Sequence, residues 1–260
     1  MKKKATNLSK YIPKEIQEAV KFDKTYFPIP VKECGERLVD VRRVIEGKQL
    51  KAVFNLDFTA TKQKRLFLLR EGLVEPLLSA IKDLEKHGLY PRFEYLYRRL
   101  EDQQASFERS VRTWKEKLPN ADKETILKIA GVFVAATPAT AGHLSGAAID
   151  LTLVDRNLKP VDMGVPYIHP GPESTTKYPS ISEEAKKNRN TLLRAMEKNG
   201  FANYPYEYWH FSLGDKIAAR VQRKRFAIYG PVAYNPKLRK TGIVKNPEIM
   251  FETKNIFKKQ

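Results

Sequence analysis

The stretch GHLSGAAIDLTLVD, Gly142–Asp155, decides how this chain folds. Its second part is apolar and rich in residues that favour strands, which predicts a buried β-strand. Asp150 places a charge in the middle of that strand. A buried carboxylate is costly unless it is paired or binds a metal ion. His143 precedes the strand across small residues that let the chain fold back, so the stretch predicts a polar site built on a buried strand.

A second stretch, YEYWHFSLGD at Tyr206–Asp215, sets Glu207 and His210 among aromatic residues. Each polar residue alone has an ordinary interpretation: His143 as a turn residue, Asp150 as the partner of an arginine, His210 as a hydrogen-bonded core histidine. A single metal ion would satisfy all three together. A hydrolytic zinc ion takes three protein ligands from histidine and carboxylate and keeps one position for water. We therefore predict that His143, Asp150 and His210 bind a metal.

Glu207 lies three residues before His210 and is the candidate catalytic base. In zinc hydrolases a carboxylate that does not bind the metal takes a proton from the attacking water and passes it to the leaving nitrogen. A glutamate close in sequence to a ligand histidine is well placed for this transfer.

The composition is that of a globular protein and excludes several kinds of site. The 260 residues are 42% hydrophobic and 30% charged, which is typical of a globular chain. The single cysteine, Cys34, excludes an intrachain disulfide and a thiolate metal cluster. The sequence contains no run of 18 apolar residues, so we predict no membrane span. The basic N-terminus is not followed by the apolar segment that a signal peptide needs. We therefore expect a cytoplasmic protein, unless a leader was removed.

The net charge of +18 suggests an anionic partner such as nucleic acid or a cell-envelope polymer. The basic residues are spread along the chain, however, and are denser at MKKK, RVQRKRF, NPKLRK and IFKKQ. No helix-turn-helix, zinc-finger or RNA-binding signature accompanies them. We expect no nucleic-acid partner and interpret the charge as a solvated basic surface.

Helices and short strands do not alternate regularly, which predicts the α+β class. Leucines at helical spacing within residues 59–88 predict a helix that ends at His87-Gly88. The Pro-rich and Gly-rich residues 157–180 form a long loop, typical of a site wall or lid. Further helices are predicted at 14–22, 100–118, 122–129 and 182–199, and strands at PRFEYLYRR, AAIDLTLVD and on both sides of Pro205.

Four segments together resemble a known family: GHLSGAAIDLTLVD, DMGVP, NRNTLLRAMEKNGF and EYWHFSLGD. They are similar to the zinc-dependent D-alanyl-D-alanine dipeptidases, the VanX-like enzymes. The resemblance implies a hedgehog/D,D-peptidase-like metallopeptidase fold with a central, mostly antiparallel sheet flanked by helices. It implies one zinc ion per chain on His143, Asp150 and His210, with Glu207 as base. It also implies an oxyanion-stabilising arginine, for which Arg98 is the candidate.

The chain departs from the family pattern at several positions. Ala141 stands where the family has a serine, Arg99 where it has a proline, and Tyr208 where it commonly has a tryptophan. We expect Tyr208 to keep an aromatic wall. His169 is unusual for the loop after DMG. The lost serine hydroxyl puts the preference for D-Ala-D-Ala in question.

The sequence therefore predicts a zinc peptidase that hydrolyses D-alanyl-D-alanine or a similar small D,D-dipeptide. Its predicted domains are an N-terminal extension at 1–30, a catalytic domain at 31–215 and a basic C-terminal extension at 216–260. One alternative is a D,D-carboxypeptidase or endopeptidase that acts on peptidoglycan stem peptides. Another is a non-catalytic binder of anionic polymer, which the presence of Glu207 disfavours. The oligomeric state does not follow from the sequence.

Overall fold

A computed structural model describes residues 10–238, 240–253 and 256–257. The basic clusters predicted at residues 1–4 and 258–259 lie outside the described residues. The strands are β1 (Leu38–Asp40), β2 (Val53–Phe54), β3 (Leu68–Arg70), β4 (Tyr90–Tyr95), β5 (Ala148–Val154), β6 (Ala202–Asn203), β7 (His210–Ser212), β8 (Val232–Asn235) and β9 (Lys240–Ile243). The helices are α1 (Lys14–Tyr26), α2 (Val41–Gly47), α3 (Val74–Glu85), α4 (Leu100–Lys117), α5 (Lys123–Phe133), α6 (Gly142–Ser145), α7 (Glu183–Lys198) and α8 (Lys216–Val221).

A five-stranded sheet in the order β2-β4-β5-β7-β6 forms the centre of the fold. The pair β2–β4 is parallel, and the other pairs in this sheet are antiparallel. The pairs β1–β3 and β8–β9 form two small antiparallel sheets. The predicted α+β class with a mostly antiparallel sheet is confirmed.

Strand β5 is buried on both faces, and its two faces differ in chemistry. Ile149, Leu151 and Leu153 point into the main core, where they meet apolar residues of α3 and α7. Because side chains alternate along a strand, Asp150 points to the opposite face. That face meets a cavity lined by residues of α4 and α5. The alternation therefore separates the apolar core from the polar site.

Two of the predicted helices begin where standard caps place them. The hydroxyl of Ser182 accepts a hydrogen bond from the backbone N–H of Ala185 at the start of α7. The carboxylate of Asp122 accepts one from Thr125 at the start of α5. α5 continues to Phe133, beyond the predicted end, and α1 continues to Tyr26.

The helical interpretation of residues 59–73 is wrong. Only Val74–Glu85 forms the predicted helix, whereas Leu68–Arg70 is strand β3. The cause is the fully buried side chain of Arg70, which donates hydrogen bonds to the carbonyl oxygens of Ser145 and Gly230 and to the Glu33 carboxylate. These distant partners outweigh the local leucine spacing, which sequence periodicity alone cannot reveal.

One stretch of the described chain, Lys123–Ser145, is long and apolar enough to cross a membrane. The fold divides it into α5, a 3-10 turn at Pro138–Thr140 and α6. Half of its most apolar part is buried inside the fold. Buried core helices have the same length and composition, so the stretch is weak evidence for a membrane span.

Residues of both predicted extensions pack on the rest of the fold. In α1, Asp23 accepts a hydrogen bond of 2.9 Å from the hydroxyl of Tyr204. Tyr26 packs with Tyr204 and with Ile217 of α8. Lys216 donates a hydrogen bond to the carbonyl oxygen of Phe27. The predicted domain boundaries stay a prediction, but α1 and α8 meet beside the central sheet.

The buried Asp23 carboxyl predicts a pH-dependent stability. Burial raises the pKa of Asp23 from 3.8 to about 8, against the lowering effect of its hydrogen bonds with Tyr204 and Tyr26. The folded protein therefore keeps a proton that the unfolded chain releases from about pH 4 upwards, and stability falls as pH rises through about 8. We expect Asp23→Asn to raise Tm relative to the unsubstituted protein at pH 9, with little difference at pH 4.

The measurement is thermal unfolding at the two pH values, with Asp57→Asn at an exposed aspartate as the control. Equal effects of Asp23→Asn at both pH values would contradict a protonated, buried Asp23.

Candidate metal centre

Three segments distant in sequence bring His143, Asp150 and His210 together. One ligand atom from each residue lies within 4.8 Å of the other two, and all three residues are buried. The β5–β7 register places Asp150 directly opposite His210. His143 comes from α6, just before β5. The structure thus assembles the three residues that the sequence selected.

The imidazole of His143 is oriented by a backbone carbonyl. Its Nδ1 lies 2.7 Å from the carbonyl oxygen of Leu96, so Nδ1 carries the hydrogen and donates. The other nitrogen, Nε2, lies 3.1 Å from Asp150 Oδ2. The hydrogen bond from Nδ1 to Leu96 fixes the tautomer of His143 and leaves Nε2 with a free lone pair for a metal ion.

Asp150 has a further partner that sequence reasoning missed. The hydroxyl of Tyr167 donates a hydrogen bond of 2.8 Å to Asp150 Oδ2. Oδ1 of the same carboxylate lies 2.9 Å from His210 Nδ1. Tyr167 belongs to the long loop at 157–180, so the predicted role of that loop as a site wall is supported by this contact. Its position just after DMGVP is the only sequence signal that could have singled it out.

Glu207 lies beside the cluster, with Oε2 3.9 Å from His210 Nδ1. A turn holds this arrangement, because the backbone N–H of His210 donates to the carbonyl oxygen of Glu207. The side-chain amide of Asn203 donates to the carbonyl oxygens of both Glu207 and His210. Asn203, which sequence reasoning also missed, therefore ties strand β6 to the turn that carries the candidate base.

Burial and mutual charge shift the pKa values of these groups. Burial would raise the pKa of Asp150, but the two histidines outweigh it and lower that pKa. Burial lowers the pKa of His143. For His210 burial acts in the same direction, yet the hydrogen bond and charge of Asp150 outweigh it and raise the pKa. Burial raises the pKa of Glu207 to about 8, so its carboxyl can hold or release a proton near neutral pH.

The structure separates the roles of the two neighbouring arginines. Arg98 lines the cavity next to the cluster, donates to the side-chain oxygen of Gln103 and lies 4.3 Å from the ring centroid of Tyr95. Its Nε is buried and has no hydrogen-bond partner in the described part of the chain. Arg99 instead donates to Asp102. Only Arg98 therefore offers an unused donor to the site.

The cavity has a volume of about 320 Å³ and contains all five predicted site residues in its wall. Ala141 and His169 also line it. His169 lies 3.1 Å from the Glu173 carboxylate and takes no part in the His–Asp–His cluster.

The expectation that Tyr208 forms an aromatic wall is wrong. Its hydroxyl donates to the carbonyl oxygen of Val165, and its ring packs under the guanidinium of Arg189. The neighbouring Trp209 lines the cavity instead. The hydrogen bond to Val165 and the contact with Arg189 hold the Tyr208 ring away from the cavity.

Besides Arg98 Nε, two buried atoms near the cluster lack hydrogen-bond partners within the described residues: His210 Nε2 and Asp215 Oδ2. Both atoms lie close to Gly142. A Cβ at Gly142 would lie 2.6 Å from Asp215 Oδ2 and 3.7 Å from His210 Nε2. Glycine at position 142 therefore leaves space for Asp215 Oδ2 close to His210.

Comparisons with known proteins agree on one family. A family model described as "D-ala-D-ala dipeptidase", peptidase M15, matches residues 35–228. The chain is 29% identical to a D-alanyl-D-alanine dipeptidase of Synechocystis sp., over 81% of this chain and 95% of that protein. It is 35% identical to a D-alanyl-D-alanine dipeptidase of Escherichia coli, over 34% of this chain and 45% of that protein.

Among solved structures, a zinc complex of a variant of the D,D-pentapeptidase VanY is similar at 17% identity. The match covers 78% of this chain and 96% of the VanY chain, with a TM-score of 0.41. The family assignment rests on the sequence matches, which span most of the described catalytic body and include every predicted site residue. The prediction of a peptidase is confirmed, and the chain belongs to the peptidase M15 family of D-ala-D-ala dipeptidases.

Proposed function

We propose that this protein is a zinc-dependent D,D-peptidase that hydrolyses D-alanyl-D-alanine, or a similar small D,D-dipeptide, to free D-amino acids. The observation that carries the proposal is the convergence of His143, Asp150 and His210 within 4.8 Å, with Glu207 beside them. Membership of the peptidase M15 family supports the substrate class.

The donor set fits zinc. Two imidazole nitrogens and one carboxylate oxygen are a ligand set of catalytic zinc, and three protein ligands leave a position for water. The hydrogen bond from His143 Nδ1 to Leu96 frees Nε2 for the ion. The Tyr167 hydroxyl and the two histidines already compensate the buried charge of Asp150. We propose one zinc ion per chain at this position.

Zinc bound at this position would lower the pKa of a water to about 7 and so supply a nucleophile at neutral pH. Glu207 would accept the proton of the attacking water and donate it to the leaving amino group. Burial raises the pKa of Glu207 to about 8, which suits a carboxyl that takes up and releases a proton near neutral pH. Glu207 lies beside His210 without being one of the three ligands, which suits a residue that moves protons.

Arg98 would stabilise the negative oxygen that develops on the scissile carbonyl. Its guanidinium is half-buried, borders the cluster and keeps Nε without a partner in the described part of the chain. A charged donor held in a water-poor cavity stabilises a developing oxyanion far more than one in bulk water. The stack on Tyr95 and the bond to Gln103 hold the guanidinium in place beforehand.

Zinc binding should depend on the three ligands and not on His169, the third histidine of the cavity wall. We expect about one zinc per chain in the unsubstituted protein. We expect His143→Ala and His210→Ala to weaken zinc binding by more than about 100-fold, since even residues that only orient a ligand contribute 10- to 100-fold.

The measurement is metal analysis after dialysis, with affinity from competition against a chelator. The control is His169→Ala, whose imidazole pairs with Glu173 instead. An equal loss of zinc in the control, or no zinc uptake by the folded protein, would contradict the assignment.

Glu207→Gln should abolish proton transfer while keeping the metal. We expect kcat for D-Ala-D-Ala to fall by about 100-fold or more, in line with the usual contribution of general acid–base catalysis. Release of D-alanine by the zinc-loaded protein is the readout, and zinc content is measured in parallel. Glu173→Gln is the control, since that carboxylate pairs with His169 outside the cluster. Full activity in the Glu207 variant would exclude it as the base.

Arg98→Gln should lower kcat by about 100-fold with a smaller effect on KM, because the lost interaction forms mainly in the transition state. The matched control is Arg99→Gln, which removes the neighbouring guanidinium that pairs with Asp102. We expect kcat of the control to stay close to that of the unsubstituted enzyme. Equal losses in the two variants would contradict a specific role of Arg98.

A further inference from the structure

The cavity that contains the metal cluster continues along helix α4. Gln103, next to Arg98, lines it, and so does Thr113. These residues are ten positions apart, which corresponds to about 15 Å along a helix. The stacked rings of Trp114 and Phe133 border the same end as Thr113. A fully extended dipeptide spans only about 7 Å. The cavity therefore has room beyond a dipeptide that occupies the metal cluster.

Three polar side chains line this additional part and lack partners. Ser106, Arg109 and Thr113 lie on one face of α4, because residues three and four apart are neighbours on a helix. Within the part of the chain that the structure describes, no ion pair or hydrogen bond of these side chains is found. Arg109 is exposed, whereas Ser106 and Thr113 are half-buried.

The neighbouring arginine on the same helix behaves differently. Arg112 forms an ion pair of 3.2 Å with Glu108 and does not belong to the cavity wall. A guanidinium left without a carboxylate partner is a ready binding group for a carboxylate, which it can hold through two parallel hydrogen bonds. The unpaired Arg109 between two free hydroxyls therefore has the chemistry of an anion subsite.

The charges of the cavity wall also indicate which end of a substrate extends there. Among the described residues that line it, the carboxylates are Asp150 and Glu207, and both serve the metal cluster. A free ammonium group at the amino end of a substrate would find no further carboxylate to pair with. An acylated amino end avoids the cost of burying that unpaired charge.

We propose that Ser106, Arg109 and Thr113 form a subsite for a carboxylate, and that the enzyme, besides a free D,D-dipeptide, cleaves D,D-peptides whose amino end carries an acyl group with a negative charge. The inference rests on the proposed zinc peptidase function and extends its range of substrates. Hydrolysis itself is unchanged: water adds across the C–N bond between the two D-residues, releasing the acyl-D-amino acid and the free D-amino acid.

The test compares N-succinyl-D-Ala-D-Ala, N-acetyl-D-Ala-D-Ala and D-Ala-D-Ala as substrates of the zinc-loaded full chain. We expect kcat/KM for the succinyl peptide to exceed that for the acetyl peptide by about tenfold, as for one charge-assisted contact. Arg109→Gln should remove this ratio. Arg112→Gln, which deletes the same charge on the same helix outside the cavity, should preserve it.

Equal cleavage of the succinyl and acetyl peptides would overturn the proposal, and so would equal effects of the two arginine substitutions. Cleavage of the free dipeptide alone would overturn it while supporting the proposed function.

Binding of N-succinyl-D-alanine, measured by calorimetry, tests the subsite without hydrolysis. If no peptide is cleaved, the proposed function fails. Product binding that Arg109→Gln weakens about tenfold would still support the subsite, and binding unaffected by that substitution would overturn it.

Discussion

The buried carboxylate of Asp150 is the constraint on which the rest of the structure depends. It lies in the middle of strand β5, 3% exposed, where an uncompensated charge would be strongly destabilising. His143, His210 and the hydroxyl of Tyr167 compensate it from three different segments. The register of β5 with β7, the fold-back through α6 and the course of the long loop all serve this one group. The same convergence creates the candidate metal centre, so the chemistry of the site and the arrangement of the sheet have one cause.

The sequence was informative where a residue conflicts with its surroundings. A charge in an apolar strand and a histidine between aromatic residues were sufficient to select Asp150 and His210, because few structures satisfy such groups. The sequence was uninformative where distant contacts override a local pattern. Arg70, held by Glu33, Ser145 and Gly230, draws its leucine-rich neighbours into a strand. No pattern within residues 59–73 encodes those partners.

Orientation within the site was the second thing that the sequence could not specify. Arg98 and Arg99 are adjacent, and only the structure shows that Arg99 pairs with Asp102 whereas Arg98 borders the cluster. Tyr208, expected in the aromatic wall, likewise faces away from the cavity, which the neighbouring Trp209 lines. α1, which precedes the residues matched by the family model, contributes Tyr26 to the cavity wall. The wall of the candidate site therefore includes a segment that the predicted domain division places outside the catalytic domain.

A crystal structure of the zinc-loaded protein, with anomalous diffraction at the zinc edge, tests whether the His–Asp–His cluster holds a zinc ion. We expect one strong anomalous peak per chain, in contact with His143 Nε2, a carboxylate oxygen of Asp150 and His210 Nδ1, with Glu207 outside the ligand set. A zinc-loaded protein with no peak at this position, or with zinc held by His169 and Glu173 instead, would contradict it.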